Sequence, residues 1–175
     1  MTGNRSEAAS SPTPDSLNLG AVQIVDIVSS VVQELDELDH RVRMVMERAP
    51  TLIADSEKLA DVTTSLLRSA LESAPPDGPI EVEVAARCLA QSHETMADGG
   101  KRQECQALVS VAIRDQGREA ERPASNPRSK ISPDLETSLM NAQKIVQLHK
   151  GKLWVTNRPE HGRTLGFCLT SERVA

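Results

Sequence analysis

The sequence predicts an α+β chain folded as a two-layer α/β sandwich, with one mixed, mostly antiparallel sheet and its helices on a single face. Three observations carry this. Apolar residues recur at helical spacing in three separate stretches and alternate strictly in others between them. The stretches run in the order helix, strand, helix, strand, strand, long loop, helix, strand, strand. The core has to be aliphatic, because hydrophobic residues make up 38% of the 175 residues and aromatics only 1%. A chain of this length holds one domain with a real core.

Residues 1–16 are read as a disordered tail, since Met1 to about Pro14 is rich in Ser, Thr, Pro and Ala and lacks apolar periodicity. The domain then spans 17–175. A first helix is expected from about Leu19 to Leu38, with Val25, Val28, Val32 and Leu35 as its stripe and Ile24, Ile27 and Val31 widening it. Arg41–Glu47 alternates apolar and charged residues, which suits a half-buried strand. After Pro50, Asp55 is a good N-cap for a helix from Ser56 to about Ser73, burying Leu59, Val62, Leu66, Ala70 and Leu67. The turn "APPDGP" ends it. Ile80–Ala86 and Ala107–Ile113 are alternating strands, and the polar stretch Leu89–Gln106 between them reads as a long hairpin connection with room for extra strand.

Residues 117–131 form a polar, Pro- and Ser-containing loop of a length that is usually functional or mobile. Ser132 caps the last helix, Pro133 starts it and Gly151 follows its end at Lys150. Leu135, Leu139, Ala142, Ile145, Val146 and His149 give its inward face. Two short strands follow, Lys152–Thr156 and Arg163–Leu169.

The bulk numbers exclude some functions. A net charge of −5 and a pI near 5.4 argue against a nucleic-acid surface. Cys88, Cys105 and Cys168 show no metal-ligand spacing and read as reduced thiols of a cytoplasmic protein. No apolar run is long enough to span a membrane, and the N-terminus lacks a basic-then-apolar signal. Direct membrane insertion is therefore not expected.

The stretch "KIVQLHKGKLWVTNRPEHGRTLGFCL" closely resembles the end of the ATP-binding domain of bacterial sensor histidine kinases, the GHKL ATPase family. There a helix ends in V-E-L-H-G-G, a strand like K-I-W-V follows, and a Gly-containing turn leads to a strand opening G-x-T-F. The resemblance extends over roughly residues 17–170 and implies the GHKL (Bergerat-like) sandwich. It also implies ATP and magnesium as cofactors, held at four places. In "DVTTSLLRSALESAP", Ser65 and Ser69 stand at the usual positions of two magnesium-holding Asn residues. Serine is a poorer and shorter ligand, and Glu72 stands where a basic residue often lies near phosphates. In "IRDQGREAE", Asp115 and Gly117 match the adenine-recognising Asp-x-Gly-x-Gly turn, but Glu119 replaces its second glycine.

A second glycine segment, usually G-L-G-L, is replaced by Glu136-Thr137-Ser138-Leu139, where only Leu139 matches. Side chains now stand where backbone should meet phosphate, and Glu136 adds negative charge. Ser138 and the N-terminus of the helix remain able to accept an anion, with Arg128 and Lys130 of the loop as sources of positive charge. Thr164 matches a late-strand threonine that supports the adenine-binding Asp, and Gly162 matches the turn before it.

None of the four histidines has the phosphoacceptor context, so all are read as surface or packing residues. No catalytic residue and no metal site are assigned. The resemblance thus implies a degenerate, non-catalytic pseudokinase domain without the dimerisation and phosphoacceptor helices, with ATP held weakly or not at all. It would signal by protein contact, through the first helix and the 117–131 loop. The implied partners are a histidine kinase dimerisation subunit, a response regulator or a sigma-factor system. Two alternatives stand beside it: the active ATP-binding subunit of a split histidine kinase or an anti-sigma-factor-like serine kinase, and a phosphotransferase-like adaptor that docks a response regulator.

Overall fold

The computed structural model describes residues 16–36, 41–95, 101–115, 133–158 and 162–171. The N-terminal tail, the 117–131 loop with Gly117, the cap at Ser132, and His40 and His161 lie outside the described residues. Among the described residues the order is β1 (Gly20–Val22), α1 (Ile24–Asp36), β2 (Val42–Met46), β3 (Leu52–Ala54), α2 (Ser56–Ser73), β4 (Ile80–Thr95), β5 (Lys101–Asp115), α3 (Pro133–Leu148), β6 (Lys152–Arg158) and β7 (Gly162–Thr170).

Five strands form one sheet in the order β2-β4-β5-β7-β6. Every pairing in it is antiparallel except β2 with β4. This is the mixed, mostly antiparallel sheet expected. Ile80, Val82 and Val84 of β4, Val109, Val111 and Ile113 of β5, and Leu165, Phe167 and Leu169 of β7 are all buried. Their alternation puts them on one face, beneath the helices.

Helix α2 is the centre of the helical layer. Asp55 caps it, its carboxylate accepting from the Lys58 N–H at 3.1 Å. Leu59, Val62, Leu66, Leu67 and Ala70 are fully buried. Each large aliphatic among them contributes roughly 2 kcal/mol through apolar burial. Thr63 is buried too, its hydroxyl donating to the Leu59 carbonyl one turn back at 2.9 Å. Helices α1 and α3 flank α2, burying Ile24, Val28, Val31 and Val32 on one side and Ala142 and Val146 on the other.

Four sequence expectations change. The first helix starts at Ile24, not Leu19, because residues 20–22 pair as a strand with β3, Gly20 opposite Ala54. Glycine is a poor helix residue, and Gln23 begins the helix instead, its carbonyl accepting from the Asp26 and Ile27 N–H groups. β2 is an edge strand and mostly exposed rather than half-buried. The hairpin arms of β4 and β5 run far past the expected strands, with an irregularity between Cys88 and Ala90. Cys88 is disulfide-bonded and only Cys168 is free among the described cysteines, so the expectation of reduced thiols fails at Cys88.

α3 ends in a defined turn. The Gly151 N–H donates to the Val146 carbonyl and the Lys150 N–H to that of Gln147, both at 2.9 Å. This is a Schellman ending, with Lys150 in the left-handed region at φ 56°. Gly151 is needed for a different reason: a Cβ there would lie 2.5 Å from the Cys168 carbonyl oxygen. No helix among the described residues is long and apolar enough to cross a membrane. Gly151→Ala is expected to lower unfolding free energy by about 2 kcal/mol through overpacking against backbone. Lys150→Gly is expected to raise it by up to about 1 kcal/mol by relieving the left-handed residue. Urea denaturation of both variants checks the pair.

Candidate functional site

Three elements meet at the C-terminal half of α2. β5 ends at Asp115, β7 begins at Gly162, and β5 pairs with β7 so that Arg114 lies opposite Thr164. The Asp115 side chain is therefore delivered beside Arg163, and it is 3% exposed. Its Oδ1 accepts from the Arg163 backbone N–H at 2.7 Å. Its Oδ2 accepts from the Ser73 hydroxyl at 2.9 Å and lies 3.7 Å from Arg163 Nε. The same guanidinium donates to the Ser69 carbonyl at 2.9 Å, to Ser69 Oγ at 3.0 Å and to Ser73 Oγ at 2.6 Å. A buried carboxylate is thus matched by a mostly buried cation drawn from the same chain.

Ser69 is fully buried, and its oxygen accepts from a guanidinium. Ser65, one turn earlier, donates to the Asp61 carbonyl at 2.8 Å. Neither arrangement fits a magnesium ion: a cation already sits on Ser69, and Mg²⁺ demands several oxygens in near-octahedral geometry. Among the described residues no group of three or more His, Cys, Asp or Glu side chains stands ready for a metal. Thr164 is 8% exposed, next to the Arg163 N–H that holds Asp115. Leu139 packs partly buried against the core. Ser138 is half-buried and faces a cleft.

That cleft, of about 550 Å³, lies between α2 and α3. Lys58, Ser65 and Arg68 of α2 line one wall and Ser138, Asn141 and Lys144 of α3 the other. The structure therefore gathers Ser65 and Ser138 at the cleft. Ser69 and Asp115 meet in the Arg163 cluster, and Thr164 adjoins it. Sequence reading passed over Arg163, Ser73 and the three cleft cations. Arg163 had a signal, since it stands between the two matched residues Gly162 and Thr164.

The other end of α2 is tied to α3. The Asp55 N–H donates to His149 Nε2 at 3.0 Å, which leaves the ring proton on Nδ1, 2.8 Å from the Ile145 carbonyl. The Asp55 carboxylate also accepts from the Asn18 N–H at 2.8 Å. Burial would raise the Asp55 pKa. The N–H groups of Asn18 and Lys58, with the charge of Lys58, outweigh it and hold the group below the usual carboxylate value.

No protein-family model matches the chain. Among curated proteins it is 26% identical over 123 residues to the adaptive-response sensory kinase SasA of Synechococcus elongatus, covering 69% of this chain and 29% of SasA. The SasA of Rippkaea orientalis is 24% identical over 128 residues, covering 73% and 31%. The chain thus spans under a third of the length of these curated relatives. Among solved structures, the catalytic domain of histidine kinase ThkA superposes with a TM-score of 0.62 at 18% identity, covering 88% of this chain and 96% of that one. The mycobacterial sensor histidine kinase MprB gives 0.60 at 16%, covering 89% and 99%. The chain has the fold of a histidine kinase catalytic domain.

Two predictions arise from this geometry. Arg163→Ala is expected to cost about 2 kcal/mol, because it leaves the Asp115 charge buried with fewer partners. Adding Asp115→Asn should recover part of that loss in urea denaturation, since a neutral amide needs no counter-charge. At the other end of α2, Asp55→Ala should cost about 1 kcal/mol as a lost N-cap. A carboxylate with a depressed folded pKa stabilises fully above its unfolded pKa, about 3.9 for Asp, and loses that contribution as pH falls through the folded value. The gap between wild type and Asp55→Ala should therefore close on acidification, as thermal melts across that range would record.

Proposed function

We propose that this chain is a degenerate histidine-kinase-type ATPase domain that acts in two-component signalling by protein contact, with weak or absent ATP binding. The observation that supports it most is the Arg163 cluster. In a domain of this fold, the carboxylate at the position of Asp115 is expected to receive the adenine amino group. Here each Asp115 oxygen already accepts a hydrogen bond and a guanidinium lies against Oδ2. A purine would have to displace an internal ion pair whose partners are 2% and 17% exposed at the side chain. Desolvated pairs of this kind are costly to break from one side. The serines at the metal-holding positions point the same way, since Ser69 is engaged by that guanidinium.

In this reading the site residues Ser65, Ser69, Asp115, Gly117, Ser138, Leu139 and Thr164 are the remains of a nucleotide pocket. In this reading the domain works in the cytoplasm. A kinase dimerisation subunit, a response regulator or a sigma-factor system is its class of partner. The cleft between α2 and α3 favours a second reading, in which the chain is the ATP-binding subunit of a split histidine kinase or a serine kinase.

An amide NMR titration of the full chain with millimolar MgATP separates the two. The expected result is no saturable shift at Ser69, Asp115 or Thr164. Saturable, magnesium-dependent shifts there would sink the pseudokinase reading.

A further inference from the structure

We propose that the outer edge of β2 is a self-association surface, on which a second copy of this chain lays its own β2 antiparallel about a two-fold axis beside Val45. The surface is the same whether or not the chain binds nucleotide.

β2 ends the five-stranded sheet, and among the described residues no strand pairs with its other side. Its backbone groups have a definite direction. The Arg41 carbonyl accepts from the Ile80 N–H, and the Glu47 N–H donates to the Val84 carbonyl. Odd-numbered residues thus turn their backbone groups towards β4. Successive residues of a strand alternate, so the N–H and C=O groups of Met44 and Met46 point to the open edge. Such a row is a template for another strand.

Edge strands are usually guarded by a lysine, a proline or a bulge. β2 has none of these. It reads VRMVM, its register with β4 is unbroken, and Met44 and Val45 are 40% and 38% exposed. The opposite edge is different. β6, Lys152–Arg158, carries two cations and no carboxylate, so a second β6 has nothing to answer them.

The side chains select the occupant. With the axis beside Val45, each Met44 lies opposite the partner's Met46, and each such pair exchanges both of its N–H···O bonds. Val45 meets the partner's Val45, and Arg43 meets the partner's Glu47 on either side of the axis. These are the non-hydrogen-bonded positions, where opposed side chains come closest. Arg43 and Glu47 are both exposed. Glu81, beside Arg43 on β4, is held by Arg114 at 2.7 Å, and Glu47 accepts only a long bond, 3.4 Å, from the Ala86 N–H. An axis beside Met44 would instead set Arg43 against the partner's Val45. It would also set Arg41, which donates to the Pro75 carbonyl, against the partner's Glu47. Residues 43–47 are therefore their own complement in one register.

Such a pair joins the two sheets edge to edge and keeps both helical layers on one side. The edge is short and each copy carries −5, so the dimer is weak, with a dissociation constant on the order of 100 μM.

Sedimentation equilibrium of the full chain, from micromolar to millimolar concentration in physiological salt, should show a reversible monomer–dimer equilibrium. Arg43→Glu or Glu47→Arg alone turns both cross-axis pairs into like charges and should weaken the dimer by about tenfold. The double variant Arg43→Glu/Glu47→Arg should recover it. A mixture of the two single variants should form a heterodimer tighter than either homodimer. Lys152→Glu, on β6, should leave the equilibrium unchanged. In hydrogen exchange, the Met44 and Met46 amides should gain protection with concentration well beyond that of Val45.

Unaltered melting curves of the single variants keep loss of the dimer apart from unfolding. A chain that stays monomeric at millimolar concentration, its edge left to solvent or to a strand of another protein, would overturn the proposal. So would a dimer indifferent to both single variants, or a double variant no tighter than the singles.

Discussion

A carboxylate that is 3% exposed at the end of a core strand cannot be left alone, because an isolated buried charge costs far more than a domain's whole stability margin. It must be protonated, hydrogen-bonded or paired. At Asp115 the chain does the last two. The solution recruits three elements: the end of β5, the start of β7 and the C-terminal half of α2. Gly162, at φ 81°, turns the chain into β7 so that the next N–H meets Oδ1. The side chain of that same residue then reaches across to Ser69 and Ser73. Sheet and helical layer are thereby bonded through polar groups at a point where the core alone would leave them merely in contact.

Helix α2 is held at its other end by a separate polar tie. Asp55 is at once an N-cap, an acceptor for Asn18 and, through its own N–H, a donor to His149. His149 reaches it because α3 stops in a Schellman turn just beyond, and Gly151 lets the following strand pass close to Cys168. The helix therefore has an aliphatic face against the sheet and both ends tied. The cleft lies on its side towards α3.

Much of this was readable from the sequence, and what was not has physical causes. The α2 boundaries and its Asp55 cap followed from an acidic cap before a clean apolar stripe. β7 was legible because Leu165, Phe167 and Leu169 alternate strictly. β1 and β3 were missed because three-residue strands carry no periodicity, and Ala21 and Val22 read as easily as helix. The long arms of β4 and β5 were hidden because their polar composition lacks the alternation that a half-buried strand shows. At the site, Asp115 and Ser69 were picked out from a motif, while the residue that joins them was not. A motif comparison asks which expected groups are missing. The role of Arg163 depends on the pairing of β5 with β7, which places it beside Asp115.

Arg163, Ser69 and Ser73 are not independent choices. A guanidinium placed against Asp115 needs acceptors of its own, and its Nη2 finds them in two hydroxyls and a carbonyl of α2, while its buried Nε makes no hydrogen bond. Short side chains at 69 and 73 suit it: a larger amide at 69 would crowd the arginine, and a metal there would meet like charge. Once Arg163 is seated, a small hydroxyl is the consistent choice at 69. The buried negative charge that would otherwise call for an outside donor is answered within the chain.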